Sequence, residues 1–428
     1  VDRVPRATIM IMKTAPPELE SLQRRVLRVL TVTQALGASG VTIGLAVSTL
    51  IAASLSSSDA IGGFAQTCAV VGAGLLALPA ARLAERRGRR PALVLGYGVG
   101  ALGALTAACA VALGRWQLLL PALVLFGGAT SANLAARYAA TDLAHPHRRA
   151  RSVGIVVWSA TIGAVIGPNL ADPAGRVAVD LGLPTGAGPF LLAAAVFAVA
   201  ALIIARYLRP DPLVVVHQAA PVVPAHCAGG VAQTRGVTVV WRSLRPAGKL
   251  ALAGITLCHT AMVGLMSMTP VHMNHAGSSL RLVGLVISVH VAAMYVASPL
   301  FGWMADRLGR VPVLAIGSAL VVAASGIAGM APSQDAPQLA AGLGLLGFGW
   351  SAGLVSGSAL LTESVAVADR PAAQGLSDLC MNAGGALGGA MAGLVVTAWS
   401  YAALGLIVGF IALPLLVVCL FSTLRTVR

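Results

Sequence analysis

A chain of 428 residues that is 57% hydrophobic and 10% charged, with mean hydropathy +0.86, is no soluble domain, since those carry about 25% charged residues. The net charge of +15 does not signal nucleic acid: the basic residues sit in loops between apolar runs, and the few aromatics do not interleave with them. A multi-span membrane protein is the class that remains.

A helix needs about 20 residues to cross the hydrocarbon. Twelve runs reach that length: 27–50, 60–82, 91–113, 117–140, 152–171, 189–208, 249–270, 282–304, 312–330, 338–362, 373–398 and 402–423. The first run is long and lacks a small-residue cleavage site, so it reads as a retained span rather than a signal peptide. With the N-terminus inside, 24 of the 29 Lys and Arg fall in inside segments, and only Arg115, Arg176 and Arg281 fall in outside loops. The positive-inside rule then places both termini in the cytoplasm, with the chain a multi-pass protein of the plasma membrane. Residues 1–26 form a cytoplasmic tail, 27–208 an N-terminal six-helix bundle, 209–248 a Pro- and Gly-bearing cytoplasmic linker, 249–424 a C-terminal six-helix bundle, and 425–428 a cytoplasmic end. Within the linker, Leu213-Val214-Val215-Val216 reads either as a strand or as a segment lying on the membrane. The six cysteines are scattered and form no CxxC pair, so they read as small buried hydrophobes.

A basic loop occurs twice. Between the second and third runs stands Ala81-Arg82-Leu83-Ala84-Glu85-Arg86-Arg87-Gly88-Arg89-Arg90-Pro91; 221 residues later stands Gly302-Trp303-Met304-Ala305-Asp306-Arg307-Leu308-Gly309-Arg310-Val311-Pro312. The same offset maps Gly63 to Gly284, Gly96 to Gly317, Asp142 to Glu363, Arg149 to Arg370, Gly154 to Gly375, Gly163 to Gly384 and Gly167 to Gly388. Internal repetition of this kind marks transporters built from two related bundles, although duplicated channels share it.

The second loop, through Gly302, Asp306, Arg307, Gly309 and Arg310, resembles the loop signature of the major facilitator superfamily. The first departs from it with Ala81 for Gly and Glu85 for Asp. The resemblance implies an all-α membrane protein, with twelve transmembrane helices in two pseudo-symmetric six-helix bundles and a substrate site between them. It further implies a cytoplasmic charge clasp, in which Glu85, Arg86 and Arg89, beside Gly88, engage Asp142 and Arg149. In the second half Asp306, Arg307 and Arg310, beside Gly309, engage Glu363 and Arg370. The alternative is that these arginines only anchor topology. Gly163, Gly167 and Pro168 resemble the fifth-span motif of proton-driven antiporters, but Asn169, Leu170 and Ala171 replace the paired Gly that follows in the family. The fourth-span Arg of many drug exporters is absent, with Leu123 or Val124 in its place.

Asp59, Asp142, Glu363 and Asp378 all fall near span ends, and Arg137 is positioned to pair with Asp142. The titratable groups left deep in the bilayer are His259 and His290, which are therefore the proton-coupling candidates; in the alternative reading each is a neutral histidine bonded to a neighbouring helix. Cavity candidates are Gln34, Gln66, Asn133, Trp158, Tyr295 and Asn382, each equally suited to bonding between helices. No phosphate-cradling loop, GxSxG elbow or paired metal-ligand spacing is present, so the sequence reads as no enzyme, with no cofactor and no metal. The function expected is proton-coupled export of a drug-like compound or metabolite by a monomer. Its partners are the small-molecule substrate, protons and the lipid bilayer, and not nucleic acid. The alternatives are proton-coupled uptake of a metabolite, or a non-transporting receptor or scaffold on the same fold.

Overall fold

The computed structural model describes residues 17–219, 237–274, 277 and 279–427, and the regular structure within them is helical, without strands. The first half runs through α1 (Pro17–Ser56), α2 (Asp59–Arg87), α3 (Arg89–Ala112), α4 (Trp116–Ala139), α5 (Arg149–Asn169), a short α6 (Ala171–Asp180) and α7 (Ala187–Tyr207). The short helices α8 (Pro212–Ala219) and α9 (Val237–Ser243) flank the centre of the chain. The second half runs through α10 (Pro246–Asn274), α11 (Leu280–Val296), α12 (Ser298–Leu308), α13 (Arg310–Gly329), α14 (Ala336–Ser364), α15 (Arg370–Ala398) and α16 (Tyr401–Val427). Twelve spans are long and apolar enough to cross a membrane, α11 and α12 making one of them between them.

The helices extend beyond the apolar runs in instructive ways. The first span begins ten residues before the expected residue 27, because Pro17 starts α1 and Glu18 and Glu20 occupy its first turn, both favourable to a helix N-terminus. The eighth run, expected as one helix over 282–304, breaks at Ala297, where Pro299 lacks the N–H that would continue the ladder. Leu213-Val214-Val215-Val216, left open as strand or membrane segment, is part of α8. Asp211 caps that helix, its Oδ1 accepting from the N–H of Leu213 at 3.0 Å. Residues 1–16, like 220–236, lie outside the described residues, so the expectations for the start of the tail and the middle of the linker fall outside them.

The halves repeat each other. In the first, α3 packs on α4 and α7, and α1 on α5; in the second, α13 packs on α14 and α16, and α10 on α15. The two basic loops turn alike, at Gly88 with φ +93° and at Gly309 with φ +102°, a region that strains any side-chain-bearing residue. Phe126, Phe190 and Phe197 fill the first core, and α14, buried along nearly its whole length, is the spine of the second. The start of α1, the end of α16 and both basic loops lie at one end of the bundle, called here the basic end.

Candidate functional site

At the basic end the halves are sealed along two lines. On one, α2 meets α15 with Ala77 and Ala81 against Gly375; on the other, α5 meets α12, with Gly154 against Ser298 and Gly302 against Ala150. Such close approach requires glycine, since an added Cβ at Gly302 or Gly375 would run into backbone or side-chain atoms of the facing helix. Neither α1 nor α10 packs to any extent on the opposite half. On α5 the face that buries Ala150, Gly154 and Val157 at the seam continues to Val165, which is 60% exposed. The contacts between the halves thus gather at the basic end, and we read the space between them towards the opposite end, where no contact of comparable extent is made, as a cleft.

Charges stitch this seam, and their pairing differs from the expected clasp. Arg89 donates to both carboxylate oxygens of Asp142, at 2.7 and 3.1 Å, and also to Gln374 of the other half. Its mirror, Arg310, donates to Glu363 at 2.8 Å, lies 2.9 Å from Asp306 and donates to the carbonyl of Pro146 across the seam. Asp306 accepts from the N–H groups of Ala150 and Arg151 at 3.1 and 2.8 Å, so a carboxylate of one half caps the first turn of a helix in the other. Arg149, expected beside Glu85 and Asp142 in its own half, instead lies 4.0 Å from Glu363 across the seam. Arg307 is exposed and stacks over Trp303, away from Glu363, because its side chain leaves the opposite face of α12. Arg86 is likewise exposed, while Glu85 borders a small cavity against Ala372 and Leu376 of α15. Arg370 is buried, and no hydrogen-bond partner is found for its Nε and Nη1 among the described residues.

Above the seam the structure joins two residues that sequence reasoning kept apart. Arg137 does not pair with Asp142; its Nη2 donates to Asp378 Oδ1 at 2.6 Å, from α4 of one half to α15 of the other. The guanidinium also donates through Nε to Ser358 Oγ at 3.0 Å and through Nη2 to the Tyr138 hydroxyl, which in turn donates to Ser377 Oγ at 3.0 Å. Both partners are almost completely buried, and Asp378 stands two turns inside α15 rather than at its end. The sequence carried no signal for this pair, because Arg137 had a candidate partner, Asp142, about one turn away in its own half.

The remaining candidates divide by place. Asn382, one turn beyond Asp378, faces Gly74 of α2 across the seam and donates to the Asp378 carbonyl at 2.7 Å. Tyr295 stacks edge-on against Trp350, whose indole N–H donates to His259 Nδ1 at 3.0 Å. That bond fixes His259 as the neutral tautomer with its proton on Nε2. His290 is fully buried between α11 and α14 of one half, with Nδ1 2.7 Å from the Leu343 carbonyl. In the first half Asn133 accepts from the Tyr97 hydroxyl at 2.7 Å and Gln34 is buried on α1, whereas Gln66 and Trp158 are exposed on α2 and α5. Gly163 and Gly167 lie against Ser39 and Thr42 of α1, and Thr42 donates to the Gly163 carbonyl at 3.0 Å; Pro168 ends that contact near the close of α5.

This geometry agrees with comparison to known proteins. The model of the family described as Major Facilitator Superfamily matches residues 29–282 and again 251–428. The chain belongs to the major facilitator superfamily. One superfamily relative, YdeG of Bacillus subtilis (strain 168), described as an uncharacterized MFS-type transporter, is 38% identical over 422 residues, covering 98% of this chain and 96% of YdeG. Another, the riboflavin transporter RfnT of Brucella anthropi, is 29% identical over 362 residues, covering 84% of this chain and 85% of RfnT. Among solved superfamily structures, the human organic anion transporter MFSD10 (TETRAN) aligns with TM-score 0.73 at 15% identity, over 95% of this chain and 100% of that one. A bacterial homologue of the iron transporter ferroportin, in an outward-facing state, aligns with TM-score 0.72 at 12% identity, over 92% and 98%. At such identities the structures share the fold alone. The family and these relatives make the chain a secondary transporter of the superfamily, a multi-pass membrane protein that binds a small-molecule substrate.

Proposed function

We infer that this transporter moves a small organic solute across the plasma membrane by alternating access, as proton-coupled export of a drug-like compound or metabolite. The observation that carries the alternating-access reading is the asymmetry of the seam: two sealed lines at the basic end and a cleft at the other. The positive-inside bias supports a cytoplasmic basic end, with both termini inside, which makes the conformation described outward-open. The seam contacts between halves exist only while the basic end is shut, so breaking them biases the protein towards its other state. The export direction rests on the antiporter-like Gly163, Gly167 and Pro168. These residues let α5 close onto α1, which shapes one wall of the cleft.

The wall formed by His259, Tyr295 and Trp350 joins flat rings to hydrogen-bonding groups, as a planar heteroaromatic cargo requires. RfnT, named for riboflavin, transports a molecule of that chemistry, and riboflavin is accordingly the first compound to assay. Inverted vesicles with an imposed inward-acid proton gradient test the whole reading. Accumulation of cargo supports export, gradient-driven loss from loaded vesicles supports uptake instead, and no flux for any compound in a broad panel overturns the transport reading.

A further inference from the structure

Resting on that proton-coupled reading, we propose that Asp378 is the proton-binding residue of the transport cycle and that Arg137 is the group that reads its charge. Asp378 lies at the boundary between cleft and seam. On the cleft side stand Asn382, one turn further along the same helix face, and then Gly385, against which His259 Nε2 is directed. On the basic side lies a cavity of about 20 Å³, bordered by Arg89, Tyr138, Gln374 and Asp378, with room for one water. A proton arriving through the cleft therefore has an acceptor, and a proton leaving it meets a polar cavity large enough for a water on the far side.

The charged and titratable groups around Asp378 come from each packed element. Acting on it directly are Arg137 and Tyr138 on α4 and Arg89 on α3; further off on the packed elements stand His259 on α10, Glu85 and Arg82 at the end of α2, Glu363 at the end of α14, and Arg370 two turns below on α15. Arg137 is the direct contact, and it belongs to the opposite half. As a carboxylate, Asp378 holds the halves together through Arg137. As a carboxylic acid it is neutral, and Arg137 is left buried without a counter-charge, which favours parting the halves so that water reaches the guanidinium. The step is a protonation alone: a proton adds to the carboxylate from the cleft and leaves to the basic side after the seam opens. One Nη1 of Arg137 is buried without a hydrogen-bond partner among the described residues, so the guanidinium has a donor free for the next state. The two histidines are poor alternatives. Protonating His259 at Nδ1 would break its bond from Trp350, and His290 lies inside one half, away from the seam.

The test needs no cargo. Hydrogen–deuterium exchange of the purified full chain in nanodiscs is followed at pH about 7.5 and about 5.5, corrected with an unstructured peptide. In the wild type, acid should raise exchange in seam peptides from α2, α12 and the first half of α15. Asp378→Asn should show the acid pattern at both pH values, and Asp378→Glu should restore the response. If Asp378→Asn fails to fold, the double variant Arg137→Met/Asp378→Leu, with neither charge, should stay sealed and unresponsive at both pH values. A wild type without an acid response, or an Asp378→Asn or double variant that keeps it, overturns the assignment. Cargo flux by the wild type in vesicles then shows separately whether the transport reading stands.

Discussion

Replacing Asp306 by Asn probes the seam at its most one-sided contact. The carboxylate of α12 caps α5 of the other half through two N–H groups, at 3.1 and 2.8 Å. Its pair with Arg310 lies within one half and does not span the seam, so it is left out of the difference between states. What remains is the loss of a negative charge at a helix N-terminus, about 0.3–1 kcal/mol when partly exposed, together with one charge-assisted bond weakened to a neutral one and the other lost, since the Asn amide keeps a single acceptor oxygen. Discounting for water at the exposed Arg151 N–H, the sealed state should lose about 1–2 kcal/mol, which is about a 5- to 30-fold shift towards an open basic end. The reporter belongs on the other sealed line, where local damage at α5 cannot reach: Ala372→Cys on α15, whose alkylation by a maleimide is read at that residue by mass spectrometry. If the halves move as bodies, the rate rises by the stated factor. An unchanged rate would show that the seam is two independent contacts and that the rocking picture is wrong.

Other expectations follow from single contacts. Arg137→Ala leaves Asp378 buried without its partner and should cost about 3–5 kcal/mol in thermal unfolding, while Arg137→Met/Asp378→Leu should recover most of the loss. Trp350→Phe removes the donor to His259 Nδ1 and should cost about 1–3 kcal/mol, with weaker half-saturation for any aromatic cargo in vesicle flux. Thr42→Val removes one bond to Gly163 and should lower the melting temperature slightly, whereas Gly163→Leu forces α5 off α1 and should abolish expression of folded protein. His290→Ala should lower stability and retain gradient-driven flux; loss of coupling there would return the proton to His290.

The fold was readable because each span carries its own signal, about 20 apolar residues closed by loop charges. The paired bonds of Arg89 with Asp142 and of Arg310 with Glu363, each 53 residues apart, were within reach for the same reason: the repeat wrote them twice. Contacts made once were not readable. At the offset of 221, Arg137 falls on Ser358, which it touches, but Asp378 falls on Val157, so the pair has no second copy to betray it. Capping by Asp306 was hidden differently, since its partners are backbone N–H groups and no side-chain type announces them. The break at Ala297 had a visible cause in Pro299, but prolines also stand inside α2, α4 and α10 without dividing them, and composition does not say which will.

The anchoring of the two short central helices bears on how the molecule is assembled. Val215 and Val216 of α8 pack with the first-half core, Asp211 grips the start of α3 there through the N–H groups of Arg89 and Arg90, and α8 also touches the turn Val367–Asp369 of the second half. Val240 of α9 roots instead beside Ala373 and Leu376 in the second. Each short helix thus holds to its own half and also reaches the other, and severing the polypeptide between residues 219 and 237 should yield two fragments that co-purify when made together in one cell.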